Sequence, residues 1–285
     1  MPSPAASSTA PDLSLVVPVY NEAENLPVLH GEIQRGLEPL GLAWEVLYVD
    51  DGSRDASPET LRRIAAGDRR VRLLRLGRNS GQSAAFAAGF SAARGAVVVT
   101  LDADLQNDPA DIPRLLAELD GADVVCGVRA RRQDDWVRRA SSRIANAVRN
   151  RMTRDSITDV GCSLRAMRRE FLIGLPMFTG MHRFLPTLLR LQGARVKQVA
   201  VSHRPRLHGT AKYNIRNRLF RALADLFAVR WMQRRWIDRR LVEESEESAK
   251  WTPRPSGSES ASSDRPSSPL ASSSSGSPPS GASRA

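Results

Sequence analysis

The chain has 285 residues, 41% of them apolar, two cysteines and a formal net charge of +11. Length and apolar share suit one α/β domain with tails and exclude a disulfide-stapled scaffold. No run approaches the roughly 20 apolar residues of a spanning helix, while a pI near 10.9 points to an anionic partner: nucleic acid, phosphorylated substrate or bilayer.

Residues 1–11 are Ser/Ala/Pro-rich, without the basic and apolar regions of a signal peptide, so they are expected to be disordered and the chain cytoplasmic. A strand near 13–19 ends in Pro18-Val19-Tyr20-Asn21-Glu22. The helix expected near 22–38 carries Leu26, Leu29, Ile33 and Leu37 at helical spacing. A second strand, near 44–50, runs into Asp50-Asp51-Gly52-Ser53-Arg54-Asp55, and Ser57-Pro58 opens a helix near 58–67. A strand near 71–75 precedes an Ala-rich helix near 81–94, which should pack close to the sheet. The next strand, near 96–101, ends in Asp102-Ala103-Asp104-Leu105-Gln106. Two carboxylates one residue apart repel each other unless a cation lies between them. Hard oxygen ligands on a strand end suit Mg²⁺ or Mn²⁺, held by one or two carboxylates plus substrate phosphates. Asp108 is placed as N-cap and Pro109 as first residue of a helix near 109–119, with a strand near 122–127 after it. Alternating strands and helices read as βαβ units and a parallel sheet. Three strand ends then present polar groups before a helix, where open α/β sheets bind ligands.

After Cys126 the pattern is irregular: a basic helical stretch near 136–152, strands near 160–167 and 195–202, and a helix near 181–192. Cys126 and Cys162 read as small buried side chains in a reducing compartment. Residues 126–170 carry a net +7 and residues 204–242 a net +9. On a helix from Asn214 to Leu241, the residues Ile215, Leu219, Leu223, Leu226, Ile237 and Leu241 share one face. Arg218, Arg221, Arg235 and Arg239 lie opposite, with Trp231 and Trp236 off the apolar centre. A basic amphipathic helix of this kind suits an anionic membrane surface. Its apolar face could equally pack on the domain or form a dimer seam, and one long helix can do both. From Glu243 the chain turns acidic and then Ser/Pro-rich, a disordered tail over 242–285.

Pro18 to Glu22, Asp50 to Asp55 and Asp102 to Gln106 resemble the three nucleotide-sugar motifs of the family 2 inverting glycosyltransferases, which have the GT-A fold. Gly81-Gln82-Ser83, Asp159-Val160-Gly161-Cys162-Ser163 and Arg206-Leu207-His208-Gly209-Thr210-Ala211-Lys212-Tyr213 are similar to the dolichol-phosphate mannose synthase and polyprenyl-phosphate sugar transferase branch. The resemblance implies a catalytic domain over 12–202, with mainly parallel sheet, and an acceptor loop plus amphipathic helix over 203–241. It implies nucleotide-sugar contacts from Pro18, Tyr20, Glu22, Asp50, Gly81, Asp102, Ala103 and Asp104. Asp51 and Asp55 could share the role of Asp50, Asp55 being equally a turn residue, and Glu22 more a shaper of its loop than a chemical group. Asp102, Asp104 and Gln106 would hold Mg²⁺ or Mn²⁺.

A lipid monophosphate acceptor is already largely dianionic at neutral pH. It needs positioned cations more than a base. Arg206 and Lys212 match the family's Arg-x-x-Gly-x-Ser-Lys pattern, with Ala211 in place of its serine, while Arg129 and Arg143 match more loosely and read equally as solvated surface arginines. Asp159 matches an acidic position near the acceptor, as a base or as the partner that orients an arginine, with a structural salt bridge as the alternative. His203 and His208 read as loop residues rather than metal ligands. The implied activity is transfer of a hexose, with inversion, from a nucleotide-diphosphate sugar such as GDP-mannose or a UDP-hexose to a polyprenyl phosphate. It would take place peripherally on the inner face of the cell membrane in envelope biogenesis, with a separate small membrane protein as an optional firmer anchor. One competing reading is a family 2 transferase acting on a saccharide hydroxyl in cell-surface polysaccharide synthesis, against which the Arg206–Tyr213 loop counts. Another is a basic membrane or nucleic-acid adaptor on the same scaffold, against which the intact Asp50, Asp102 and Asp104 count. Nucleic acid is not expected, for want of an aromatic stacking ribbon or a helix-turn-helix pattern.

Overall fold

Mostly apolar runs, interrupted by buried Ser14 and Glu45, give strands β1, β2 and β4 of this protein, because a strand covered by helices on both faces has no reason to alternate. The computed structural model describes residues 10–129, 146–205 and 215–237. In chain order these form β1 (Leu13–Val19), α1 (Leu26–Leu37), β2 (Trp44–Asp50), α2 (Ser57–Gly67), β3 (Val71–Arg75), α3 (Gln82–Ala92), β4 (Val97–Thr100) and α4 (Ile112–Ala117). They continue as β5 (Val124–Arg129), α5 (146–153), β6 (Arg165–Arg168), α6 (Leu185–Leu191), β7 (Val196–Val201) and α7 (Ile215–Arg235). One sheet of seven strands runs in the order β3-β2-β1-β4-β6-β5-β7. Every pair is parallel except β6, which lies antiparallel to both β4 and β5.

One core layer packs Leu26, Leu29 and Ile33 of α1 and Ile112 and Leu115 of α4 on one sheet face. The other face meets Phe86 and Phe90 of α3, Leu185 and Leu188 of α6, and Leu226 and Val229 of α7. The Ala-rich α3 lies close to the sheet, as expected: a Cβ at Gly89 would come within 2.2 Å of Val16 Cγ1. Pro18 is tolerated in a central strand for a local reason. Val16 O accepts from Leu101 N on the β4 side, and Pro18, two residues on, faces that side beyond the last β1–β4 pair, Val16↔Thr100. No ladder bond is lost by its missing N–H.

The first five strands fall where the sequence places them, within two or three residues. The differences lie in the helices and the second half. Helix α1 starts at Leu26, since Asn21 is left-handed (φ 54°) and Asn25 N bonds back to Glu22 O in a turn. The helix expected over 109–119 is a 3-10 turn, Pro109–Asp111, then α4, then a second 3-10 turn, Glu118–Asp120. Asp108 caps it as expected, its Oδ1 accepting from Ala110 N at 3.0 Å. The strand expected over 160–167 shrinks to Arg165–Arg168, and the helix over 181–192 opens as a 3-10 turn, Met181–Arg183. Expectations for 1–9, 136–145, 206–214 and 238–285 fall outside the described residues.

Helix α7 ends at Arg235, short of Leu241, with Trp236 and Ile237 non-helical. Its single expected apolar face is split. Leu226 (4% exposed) and Val229 (0%) are buried against the domain, and Gln233 Nε2 donates to Thr153 O at 2.6 Å. Leu223 (38%), Phe227 (64%) and Trp231 (64%), spaced four apart, form an exposed stripe. Packing and an outward apolar surface thus coexist on one helix.

Gly95 marks the tightest turn into β4. A Cβ there would lie 2.6 Å from Ser14 N and 2.7 Å from Leu13 C, backbone that cannot swing aside. Gly95→Ala is expected to cost about 2 kcal/mol, in the range for overpacking. Urea unfolding checks it, and an unchanged midpoint would show that the β1–β4 edge yields.

Candidate active site

The C-terminal ends of β1, β2 and β4 meet on one edge of the sheet, and their loops are stitched together by short polar side chains. Asn21 N donates to Ser53 Oγ (3.0 Å), Arg54 N to Asn21 Oδ1 (2.8 Å) and Glu22 N to Ser57 Oγ (2.8 Å). Glu22 Oε2 accepts from Asn25 Nδ2 at 2.6 Å, which fits its expected loop-shaping role. The three aspartates of the second motif diverge. Asp51 accepts Ser80 N (2.7 Å) and Gly81 N (2.8 Å) on its two oxygens and so pins the loop before α3. Asp55 accepts Ser57 N (2.9 Å) and Ala23 N (3.3 Å), the turn role left open for it. Asp50 is 3% exposed; Oδ1 accepts Ser53 N at 2.9 Å, while the buried Oδ2 accepts no hydrogen bond and faces Arg75 Nε at 3.3 Å. A buried oxygen without a hydrogen bond is costly unless a ligand supplies the donor. Gly52 (φ 71°) lets this loop press on its neighbour, since a Cβ would sit 2.7 Å from Arg78 C and Asn79 N. Pro18 lies in β1 and Tyr20 just past its end, and Gly81 sits on the loop that Asp51 pins.

Beyond β4, Asp102 Oδ1 accepts from Gln82 Nε2 at 2.7 Å and Asp104 Oδ1 from Gln106 N at 3.2 Å. Ala103, between them, is buried (3% exposed). Leu105 holds a left-handed φ of 60° with its side chain buried (1% exposed), and so turns Gln106 outward from the core. Gln106 O accepts Arg204 N at 2.9 Å, and Arg204 also ion-pairs with Glu32 and Asp108. Asp102 and Asp104 are hard oxygen donors of the type a divalent cation takes, and among the described residues no group of three His, Cys, Asp or Glu is placed to hold a metal ion. His203 lies in the field of Asp104, Asp159 and Arg129. Its Nδ1 is buried without a hydrogen bond, and burial together with Arg129 lowers its pKa, which keeps the ring neutral at pH 7.

The second half supplies cations. Arg129 and Asp159 form a bidentate pair, Nε to Oδ2 at 2.7 Å and a terminal nitrogen to Oδ1 at 2.8 Å, and Arg129 N also donates to Asp159 Oδ2 (3.2 Å). This geometry favours Asp159 as the orienter of an arginine over Asp159 as a free base. Arg143, Arg206, His208 and Lys212 lie outside the described residues.

Next to Asp102 opens a cavity of about 150 Å³, walled by Gln82, Cys162, Arg165, His182 and Arg183. Ser83 Oγ bonds His182 Nδ1 (2.8 Å) and accepts Gly180 N (3.0 Å). Arg165 donates to His182 O and Val160 O, both at 3.1 Å. Sequence reasoning missed Arg165, His182 and Arg183, since Ser83 and His182 are 99 residues apart and no local pattern joins them. Burial pushes the thiols of Cys126 and Cys162 up to about 11, so both are neutral core groups, as expected, and not nucleophiles.

The sequence profile of glycosyl transferase family 2 matches residues 14–175. The undecaprenyl-phosphate 4-deoxy-4-formamido-L-arabinose transferases of Salmonella paratyphi B and Salmonella newport are 42% identical to this chain over 216 residues. The alignment covers 75% of this chain and 66%, just under two thirds, of each of theirs. Among solved structures, a mannosyltransferase from Pyrobaculum calidifontis in complex with GDP-Man and Mn²⁺ superposes with a TM-score of 0.57 at 23% identity, over 78% of this chain and 64% of the other. Glucosyl-3-phosphoglycerate synthase from Mycobacterium tuberculosis, with Mn²⁺, UDP and phosphoglyceric acid, gives 0.58 at 20% identity, over 80% of each chain. The fold is therefore GT-A-like, with a seven-stranded, mostly parallel mixed sheet.

Proposed function

The chain belongs to glycosyl transferase family 2, and from that premise we propose that it transfers a sugar, with inversion, from a nucleotide-diphosphate donor to undecaprenyl phosphate. One observation carries the reading. Asp50, whose buried Oδ2 accepts no hydrogen bond and is ion-paired with the exposed Arg75, and the Asp102/Asp104 pair end β2 and β4, the two strands that flank β1. Two strand spacings separate them, roughly 10 Å, the reach of a nucleoside from base to diphosphate. Asp50 takes the base or ribose, Pro18, Tyr20, Glu22 and Gly81 line the span, and Ala103 holds the acid pair in register. Asp102, Asp104 and Gln106 would hold Mg²⁺ or Mn²⁺, which when bound stabilises the charge on the departing nucleoside diphosphate. The Mn²⁺ named with both structural relatives supports that choice.

The acceptor phosphate, already an anion, needs no proton removed. Arg129, held by Asp159, together with Arg143, Arg206 and Lys212, offsets the repulsion between two phosphorylated substrates. The commitment of Asp159 to Arg129 is also what disfavours a saccharide hydroxyl acceptor, which would need a base. The relatives' names carry a modified pentose, so the expectation of a hexose widens to a sugar of either size. No helix among the described residues is long and apolar enough to cross a membrane. The enzyme meets its lipid substrate peripherally, at the cytoplasmic membrane face, through α7 on an anionic surface, with or without a small membrane protein as anchor.

Purified protein with Mn²⁺, undecaprenyl phosphate and a panel of UDP- and GDP-sugars tests the reaction. At least one donor is expected to give a lipid-linked sugar with inverted anomeric configuration. Transfer only to saccharide hydroxyls, with none to the lipid phosphate, would overturn the reading.

A further inference from the structure

The stretch between β4 and the 3-10 turn at Pro109 carries Asp102, Asp104 and Gln106 but has no helix or strand of its own. Its shape must come from bonds to other segments. Leu105, in its middle, holds a φ of 60°. A left-handed leucine is unfavourable and persists only where its surroundings over-determine it. The holds lie just beyond it. Asn107, 5% exposed, donates from Nδ2 to Ser163 Oγ at 2.9 Å. Gln106 O and Asp108 are both held by one residue, Arg204, three residues past the end of β7.

Arg204 grips in three places. Its backbone N donates to Gln106 O at 2.9 Å. Its terminal nitrogens diverge, Nη1 donating to Glu32 Oε1 at 2.7 Å and Nη2 to Asp108 Oδ2. Asp108 Oδ1 is occupied by Ala110 N, so the arginine takes the oxygen that the cap leaves over. Glu32 sits on α1 next to Ile33, which is fully buried, and this ties one end of the clasp to the core. Glu32 and Asp108 converge on one guanidinium; without it they would face each other as like charges. A planar fork can serve two acids at once, whereas an ammonium is a point charge. From Gln106 the bonding runs back into the acid motif, since Gln106 N donates to Asp104 Oδ1 at 3.2 Å.

We propose that Arg204 is a positioning residue for the divalent cation. Tied to α1 through Glu32, it holds the turn from Leu105 to Asp108 in the shape that keeps the Asp104 carboxylate and the Gln106 side chain where the cation needs them. Groups that orient a metal's ligands set its affinity although they do not bind it. The proposal rests on the transferase reading above and adds a residue, with its partner Glu32, that acts through others.

Calorimetry tests it without turnover. UDP and GDP are titrated into the wild type with Mn²⁺ first; if neither binds, the transferase reading itself fails, and this inference with it. With the nucleotide that binds held at saturation, the Mn²⁺ affinity of each variant is then compared with that of the wild type. Arg204→Met keeps the stem and removes the charge, and is expected to weaken Mn²⁺ binding tenfold or more. Arg204→Lys restores a charge between the acids but not the fork, and should fall between the two. Glu32→Gln should weaken Mn²⁺ binding about threefold. Added to Arg204→Met it should cause no further loss, because Glu32 acts through Arg204 and its neutral amide also ends the repulsion with Asp108. A purely structural role gives a different result: a lower unfolding midpoint with Mn²⁺ affinity within twofold of the wild type in the folded Arg204→Met protein. That result overturns the proposal, as do additive losses in the double variant. If Arg204→Met does not fold, Glu32→Gln decides, and an unchanged Mn²⁺ affinity in that variant overturns the proposal.

Discussion

Asp104→Asn is expected to lower sugar transfer by about a thousandfold or more, while the unfolding midpoint stays near that of the wild type. The size follows from removing one preorganised charge at the point where charge develops, for which losses of about 10²–10³ are usual, together with weaker retention of the cation. The fold survives because asparagine keeps the volume, and its carbonyl can still accept from Gln106 N, as Asp104 Oδ1 does now at 3.2 Å. Two measurements check this: initial rate, and Mn²⁺ affinity in the presence of the nucleoside diphosphate. Excess chelator should silence the wild type in the same way. A fully active variant, or a wild type indifferent to chelator, would sink the metal-assisted reading.

The second large effect is expected on α7. Replacing Leu223, Phe227 and Trp231 together by serine removes the exposed stripe and leaves the docked one untouched. Flotation with anionic vesicles should fall at least tenfold, with little change in thermal stability. The wild type should float weakly with neutral vesicles and release partly in high salt, because Arg234 and Arg235, exposed beside the stripe, contribute a screened attraction. The apolar part of binding does not respond to salt. Leu226→Ser and Val229→Ser give the opposite pattern, destabilising the domain in urea, since both residues are buried. A triple variant that floats like the wild type would assign membrane contact to another surface.

What was legible in the sequence follows from what is local. Strands β1, β2 and β4 announce themselves because each is a mostly apolar run closed by polar turn residues, and Asp108-Pro109 is a cap whose hydrogen bond spans two residues. The acid pair after β4 is legible for the same reason. Asp50, Asp51 and Asp55 show the limit. They are one residue type in one motif, and only the positions of the N–H groups of Ser80, Gly81, Ser57 and Ala23 distinguish the two that hold loops from the one that keeps an oxygen open. The wall of Arg165, His182 and Arg183 is assembled by contacts across the chain, for which no spacing rule exists. Four residues of β6 carry no sign of their direction. The periodicity of α7 was read as one face because Leu223 and Leu226 both fit it, yet only packing against the domain decides which is covered.

The reversed strand β6 has a consequence for the order in which the protein is made. Strands β4 and β5 do not touch; each pairs with β6, in registers such as Val98↔Met167 and Val125↔Ala166. Strands β1 to β4 can zip together once residue 100 has left the ribosome, since the pairings among them lie within that stretch and only the outer edge of β4 waits for β6. β5 must wait for a segment still to be synthesised, and the closure of so long a loop is entropically opposed until that segment arrives. The half that bears Asp50 and Asp102 therefore matures first, and the half that bears Arg129 and Arg165 is sewn on last by a single four-residue seam. A lesion in that seam strands a nascent chain with the half that bears Asp50 and Asp102 built and the other half loose.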